Sequence, residues 1–118
     1  KNKAMLIDIW AVWCGPCAAE FPHSQKLHEA SKDLPVEFVY LCTSAGGDME
    51  KWKTKIVEYQ LSGTHIFADQ STISALMKMF SFSGFPSYML INTEGVYKPG
   101  LVQRPSGLTK EKLAEIIK

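Results

Sequence analysis

AVWCGPCAAEFP, residues 11–22, sets two cysteines, Cys14 and Cys17, on either side of Gly15 and Pro16, with Trp13 just ahead of them. What flanks the pair decides what it can be. Before it lies AMLIDIW (4–10), an apolar run holding one acid, Asp8, which reads as a strand buried on both faces. After it, a stretch of helical length runs from about Pro16 to Ser31. VEFVYLC (36–42), rich in β-branched and aromatic residues, reads as a second strand. Strand, helix and strand in such close succession form a βαβ unit, with parallel strands and a right-handed crossover. The cysteines therefore sit where the first strand hands over to its helix.

The alternation continues. SAGGD (44–48) is a loop, and DMEKWKTKIVEYQL (48–61) places Met49, Trp52, Ile56 and Tyr59 on one helical face behind an Asp48 N-cap. THIFAD (64–69) is a short strand or extended segment, and STISALMKMF (71–80) is a helix through Ile73, Leu76, Met77 and Phe80, with Ser71 as cap. SYMLIN (87–92) is a strand, and TEG turns it into VYKPGLVQ (96–103), an edge strand interrupted by Pro99-Gly100. LTKEKLAEIIK (108–118) closes as a helix capped by Thr109, with Lys112 exposed and Leu113, Ile116 and Ile117 inward. The expected class is α/β, a central mixed sheet with helices on both faces. Its first two strands are parallel, and its last two form an antiparallel hairpin. The Met and aromatic stripes read as core.

At 118 residues, 46% apolar and 21% charged, the chain is expected to be a single globular domain spanning residues 1–118. A net charge of +1 offers no basic face for nucleic acid. No apolar window approaches the ~18 residues of a membrane span, and no signal peptide is visible. KNKAMLIDIW already reads as a strand, so the chain is expected to be a domain cut from something longer.

Three cysteines, Cys14, Cys17 and Cys42, are too few for a disulfide scaffold and supply no second pair for a four-cysteine zinc site. His23 and His28 follow Cys17 at once and His65 is remote, so finger spacing fails and no metal is expected. A structural Cys14–Cys17 bridge would close a tiny loop and add little stability. The strand–helix junction favours a redox couple, because unpaired N–H groups and the helix dipole stabilise a thiolate. Cys14 gains most and is expected to be the exposed sulfur, with Cys17 one turn further in. Cys42 reads as a small buried hydrophobe.

With these residues in view, LIDIWAVWCGPC (6–17) resembles the active-site segment of the thioredoxin superfamily, whose motif is WCGPC. Asp8, six residues before Cys14, matches the buried acid of thioredoxins, and Pro22 falls where the family's first helix is kinked. GFPSYMLI (84–91) resembles the cis-proline loop, with Pro86 as the proline. The CxxCxxEFP form and the long helical segment between LCTS and HIFAD are similar to the TlpA/ResA branch. The resemblance spans nearly the whole chain. Departures are the missing segment before the first strand, the lack of a glutamate before Glu50 in the loop after the second strand, and Phe85 ahead of the proline.

The resemblance implies a thioredoxin fold and a thiol–disulfide oxidoreductase that reduces protein disulfides. Cys14 would attack, Cys17 would resolve the mixed disulfide, and Asp8, with a pKa raised by burial, would take and return the Cys17 proton. Trp13, Gly15, Pro16, Phe85 and a cis Pro86 would meet the substrate, the Phe85 backbone pairing with its extended chain. No cofactor beyond the cysteine pair is expected. Electrons would come from another protein. The setting would be extracytoplasmic, the bacterial periplasm, with any membrane or lipid anchor outside this segment. A disulfide oxidase or isomerase, and a non-catalytic binding module, are the alternatives on the same fold.

Overall fold

The computed structural model describes residues 2–118. Along the chain run β1 (Ala4–Trp10), α1 (Gly15–Ala30), β2 (Val36–Thr43), α2 (Met49–Glu58), β3 (Thr64–Ala68), α3 (Gln70–Met79), β4 (Ser87–Ile91), a 3₁₀ turn (Pro105–Gly107) and α4 (Lys110–Ile116). The strands form one sheet in the order β3-β2-β1-β4. β1 is parallel to β2 and β2 to β3, while β4 runs antiparallel to β1. β1 is thus central, which explains its nearly unbroken apolar run.

Strand alternation sends the side chains to two cores. On one face Leu6, Trp10, Phe38, Tyr40 and Leu90 pack with Phe21 and Leu27 of α1 and with Leu113 and Ile116 of α4. Phe21 is the hub, meeting Trp10 edge-on at 5.0 Å and Tyr59 at 5.2 Å between ring centroids. On the other face Ile9 and Met89 meet Ile73 and Met77 of α3. The expected sheet with helices on both faces is what forms.

Three details differ from the sequence reading. The 96–103 segment is not a strand. Only Ile91 and Tyr97 bridge, and after Lys98 N–H reaches Leu90 O the ladder stops. Pro99 has no N–H to donate, and Gly100 turns away at φ +76°. The cap of α3 is Asp69, which accepts Thr72 N–H at 2.8 Å, and not Ser71, whose hydroxyl bonds to the same carboxylate. A carboxylate ahead of the first turn also complements the helix dipole. Finally, the α2 stripe lies at the margin of the core, reaching it only through the partly buried Trp52 and Tyr59. No α2 residue is buried and Met49 is half exposed, because the helix covers the short edge strand through a Trp52–Phe67 stack. Asp48 and Thr109 do cap α2 and α4.

Candidate active site

Cys14 is the N-cap of α1. Its extended backbone (φ −87°, ψ 106°) ends the β1 loop, and its sulfur accepts the Cys17 N–H at 3.1 Å. Pro16 stands in the first turn, where a missing N–H breaks no helical bond, and the helix runs on through Pro22. The two cysteines are bridged as a disulfide with Cα atoms 5.3 Å apart. One of the unpaired N–H groups that open a helix therefore points at the Cys14 sulfur. In the reduced state that group and the dipole favour its thiolate. Cys14 was expected to be exposed. It is 6% exposed against 0% for Cys17, so the order holds while the opening is a sliver. Gly15 and Pro16 form the exposed lip beside it.

Trp13 and Phe85 join across this lip, edge to face at 5.6 Å. Trp13 Nε1 donates to the Ala45 carbonyl at 2.8 Å, yet the residue stays 57% exposed. The two rings pack on each other and still leave Trp13 as an exposed apolar rim. The loop under Trp13 needs Gly46, whose φ is +73° and whose Cβ would stand 2.6 Å from the Trp13 Nε1. The Phe85–Pro86 peptide bond is cis. Phe85 packs on Trp13, the residue before Cys14, which brings the Pro86 loop to the rim beside the pair. Beside Trp13 and Phe85 opens a groove of about 530 Å³, floored by Ile73, Met77 and Phe82.

Asp8 lies on the α1 face of the sheet, 5% exposed. Burial, reinforced by the charge of Glu20, pushes its carboxyl up to about 8. Neither oxygen has a hydrogen-bond partner, so nothing ties it to either cysteine in the bridged state. Burial and the Asp8 charge also raise Tyr40 and Tyr88, which keeps both phenols protonated. Cys42 is fully buried, its thiol pushed up to about 12 chiefly by burial, which suits an inert thiol. His23 is exposed, while His28 and His65 are half-buried and stack on Phe38 and Tyr40.

Glu20, within the AVWCGPCAAEFP stretch, is a functional residue that local pattern does not single out. Glu20 is 6% exposed and accepts the Ser106 N–H and hydroxyl, each at 2.9 Å, with Arg104 at 3.9 Å. An acid midway along an otherwise buried helix face was the available signal. Ser106 stands 86 residues away, beyond any local pattern.

A family model described as Redoxin matches residues 1–116. The thioredoxin-like protein YneN of Bacillus subtilis is 28% identical over 96 residues, 81% of this chain and 54% of that protein. The thiol-disulfide oxidoreductase ResA of Oceanobacillus iheyensis is 41% identical over 39 residues, 33% of this chain and 20% of that one. The matches thus span about half or less of these curated relatives. The thioredoxin domain of a thiol-disulfide oxidoreductase from Bacteroides vulgatus superposes with a TM-score of 0.76 at 24% identity, covering 99% of this chain and 78% of that chain. The mixed sheet and its helices are a thioredoxin fold.

Proposed function

This chain belongs to the Redoxin family, and from that premise we propose that it is a thiol–disulfide oxidoreductase that reduces protein disulfides through Cys14 and Cys17. The observation that carries the reading is the cap. A helix N–H rests on the Cys14 sulfur, and its bridged partner stands one turn away.

In the reduced protein the Cys14 thiolate attacks one sulfur of a substrate disulfide. That S–S bond breaks, a mixed disulfide forms and one substrate thiolate leaves. Cys17 then gives its proton to Asp8 and attacks the Cys14 sulfur. The Cys14–Cys17 bond closes, and the second substrate sulfur leaves as a thiolate that takes the proton from Asp8, with two electrons transferred in all. Asp8 suits this task because a carboxyl near 8 can take and return a proton around neutral pH. The substrate lies over Trp13, Gly15 and Pro16, pairs with the Phe85 backbone next to Pro86, and extends into the neighbouring groove. No cofactor beyond the cysteines takes part, and another protein's thiols supply the electrons. An oxidising, extracytoplasmic compartment such as the bacterial periplasm suits such a couple, with any anchor on chain outside this segment.

No cation lies between the cysteines to acidify Cys14 further, and Asp8, once ionised, opposes a second negative charge. The couple is therefore a reducing one, nearer about −270 mV than about −120 mV. Insulin reduction tests the activity. Cys14→Ser should abolish it, and Cys17→Ser should accumulate a stable mixed disulfide through Cys14. Turnover retained in Cys14→Ser would refute the proposal. A glutathione equilibration giving a potential above about −180 mV would replace it with the oxidase or isomerase reading.

A further inference from the structure

The residues around Asp8 form one transverse row. Tyr88 of β4, Asp8 of β1, Tyr40 of β2 and His65 of β3 are direct register partners, so all four stand on the same face of the sheet. Tyr40, Asp8 and Tyr88 line one small cavity together with Ser24 of α1. All four are more than nine-tenths buried, with exposures of 1% for Tyr40, 5% for Asp8, 7% for Tyr88 and 2% for Ser24. Both Asp8 oxygens and both phenolic oxygens are without a hydrogen-bond partner in the protein. Buried polar groups in native proteins are nearly always satisfied, by protein or by ordered water. The cavity measures about 10 Å³, which is about what one water molecule requires.

We propose that this cavity is a binding site for one water molecule, through which the hydroxyls of Tyr40 and Tyr88 are hydrogen-bonded to the Asp8 carboxylate. The water accepts the two phenolic O–H groups, donates one hydrogen to Asp8 and turns the other toward Ser24. That uses its full capacity of four bonds. The other lining side chains, Leu6, Phe38 and Pro105, are apolar and offer no rival donor.

Several groups bear on Asp8 from the elements packed around it. Glu20 of α1 brings negative charge and is itself held by Ser106 and Arg104. Cys42 of β2 stays protonated. His65 stacks behind Tyr40 at 5.0 Å, its Nε2 2.8 Å from the Leu61 carbonyl oxygen. The groups that can donate into the cavity are the two phenols, the Ser24 hydroxyl, which stands against Tyr40, and the water. Donors directed at a carboxylate favour its charged form and counter desolvation. Tyr40 and Tyr88 are therefore positioning residues that hold the Asp8 titration within reach of neutral pH.

The inference rests on the proposed role of Asp8 as the base for Cys17, and it is tested apart from that role. Carbon-13 NMR of the Asp8 carboxyl in the oxidised protein reads its titration while both sulfurs are bridged. Tyr40→Phe and Tyr88→Phe keep the ring packing and should each raise the midpoint by about one pH unit, a tenfold weaker acid. A crystal structure at high resolution should find one water within hydrogen-bond distance of Asp8 and both phenols. Midpoints unchanged in both variants, or a dry cavity, would overturn the inference. Shifted midpoints alongside an unchanged pH profile of thiol exchange would uphold the water site and reject Asp8 as the base.

Discussion

Two acids are buried beneath α1, and the chain treats them in opposite ways. Glu20 has its charge met by an N–H, a hydroxyl and a nearby guanidinium, all from the 104–106 segment. Asp8 has no protein donor at all. A satisfied buried carboxylate is a fastener: it pins an irregular segment to the helix that carries the cysteines. One that no protein group meets directly costs stability in its charged form unless it holds its proton. Folding alone gives no reason to keep Asp8 in a strand of otherwise apolar neighbours. A proton that moves with the redox state gives one.

The two acids differ most in what they do to stability. Native Asp8 keeps its proton to about pH 8, whereas the unfolded chain releases it near 3.8. Between those values the native state binds more protons, so stability falls as pH rises and levels off above about 8. Asp8→Asn should remove that slope and stabilise the protein at pH 9 by roughly 2–4 kcal/mol, read from urea unfolding. A variant whose pH profile parallels the wild type would mean that the fold does not raise the Asp8 pKa.

Glu20→Gln should act with the opposite sign. It weakens the fastener to Ser106 and Arg104 and should cost about 1–2 kcal/mol. It also removes the charge that helps to raise Asp8, so the Asp8 midpoint should fall in the same variant. A stabilising Glu20→Gln would make the two acids alike. Gly15→Ala is the smallest expected change. A Cβ there meets nothing within 4 Å and the backbone φ is not positive, so stability should move by less than about 0.5 kcal/mol. A larger loss would show that the lip beside Cys14 is packed and not open.

The first half of the fold was readable because local pattern and tertiary role agree there. β1 is apolar because it is central, and Cys14 caps because a strand must end where a helix begins. Asp8 was conspicuous as the one acid in such a run. What local pattern missed depends on distant partners. The 96–103 segment has strand-like residues, yet Pro99 and Gly100 end its pairing at once. The α2 stripe looked like core, but its helix lies over an edge strand. The Tyr88–Asp8–Tyr40 row arises only when three strands align in register, and Gly46 matters only because Trp13 lands on it.

In the proposed mechanism Asp8 moves the Cys17 proton. The direct measurement is the rate at which Cys17 resolves a preformed Cys14 mixed disulfide, followed by stopped flow across pH in the wild type and in Asp8→Asn. The wild-type rate should inflect where Asp8 titrates, near pH 8. Asp8→Asn should lose that inflection and slow the step near neutral pH by about 100-fold, as expected for loss of a general base. Superimposable profiles for the two proteins would contradict the account.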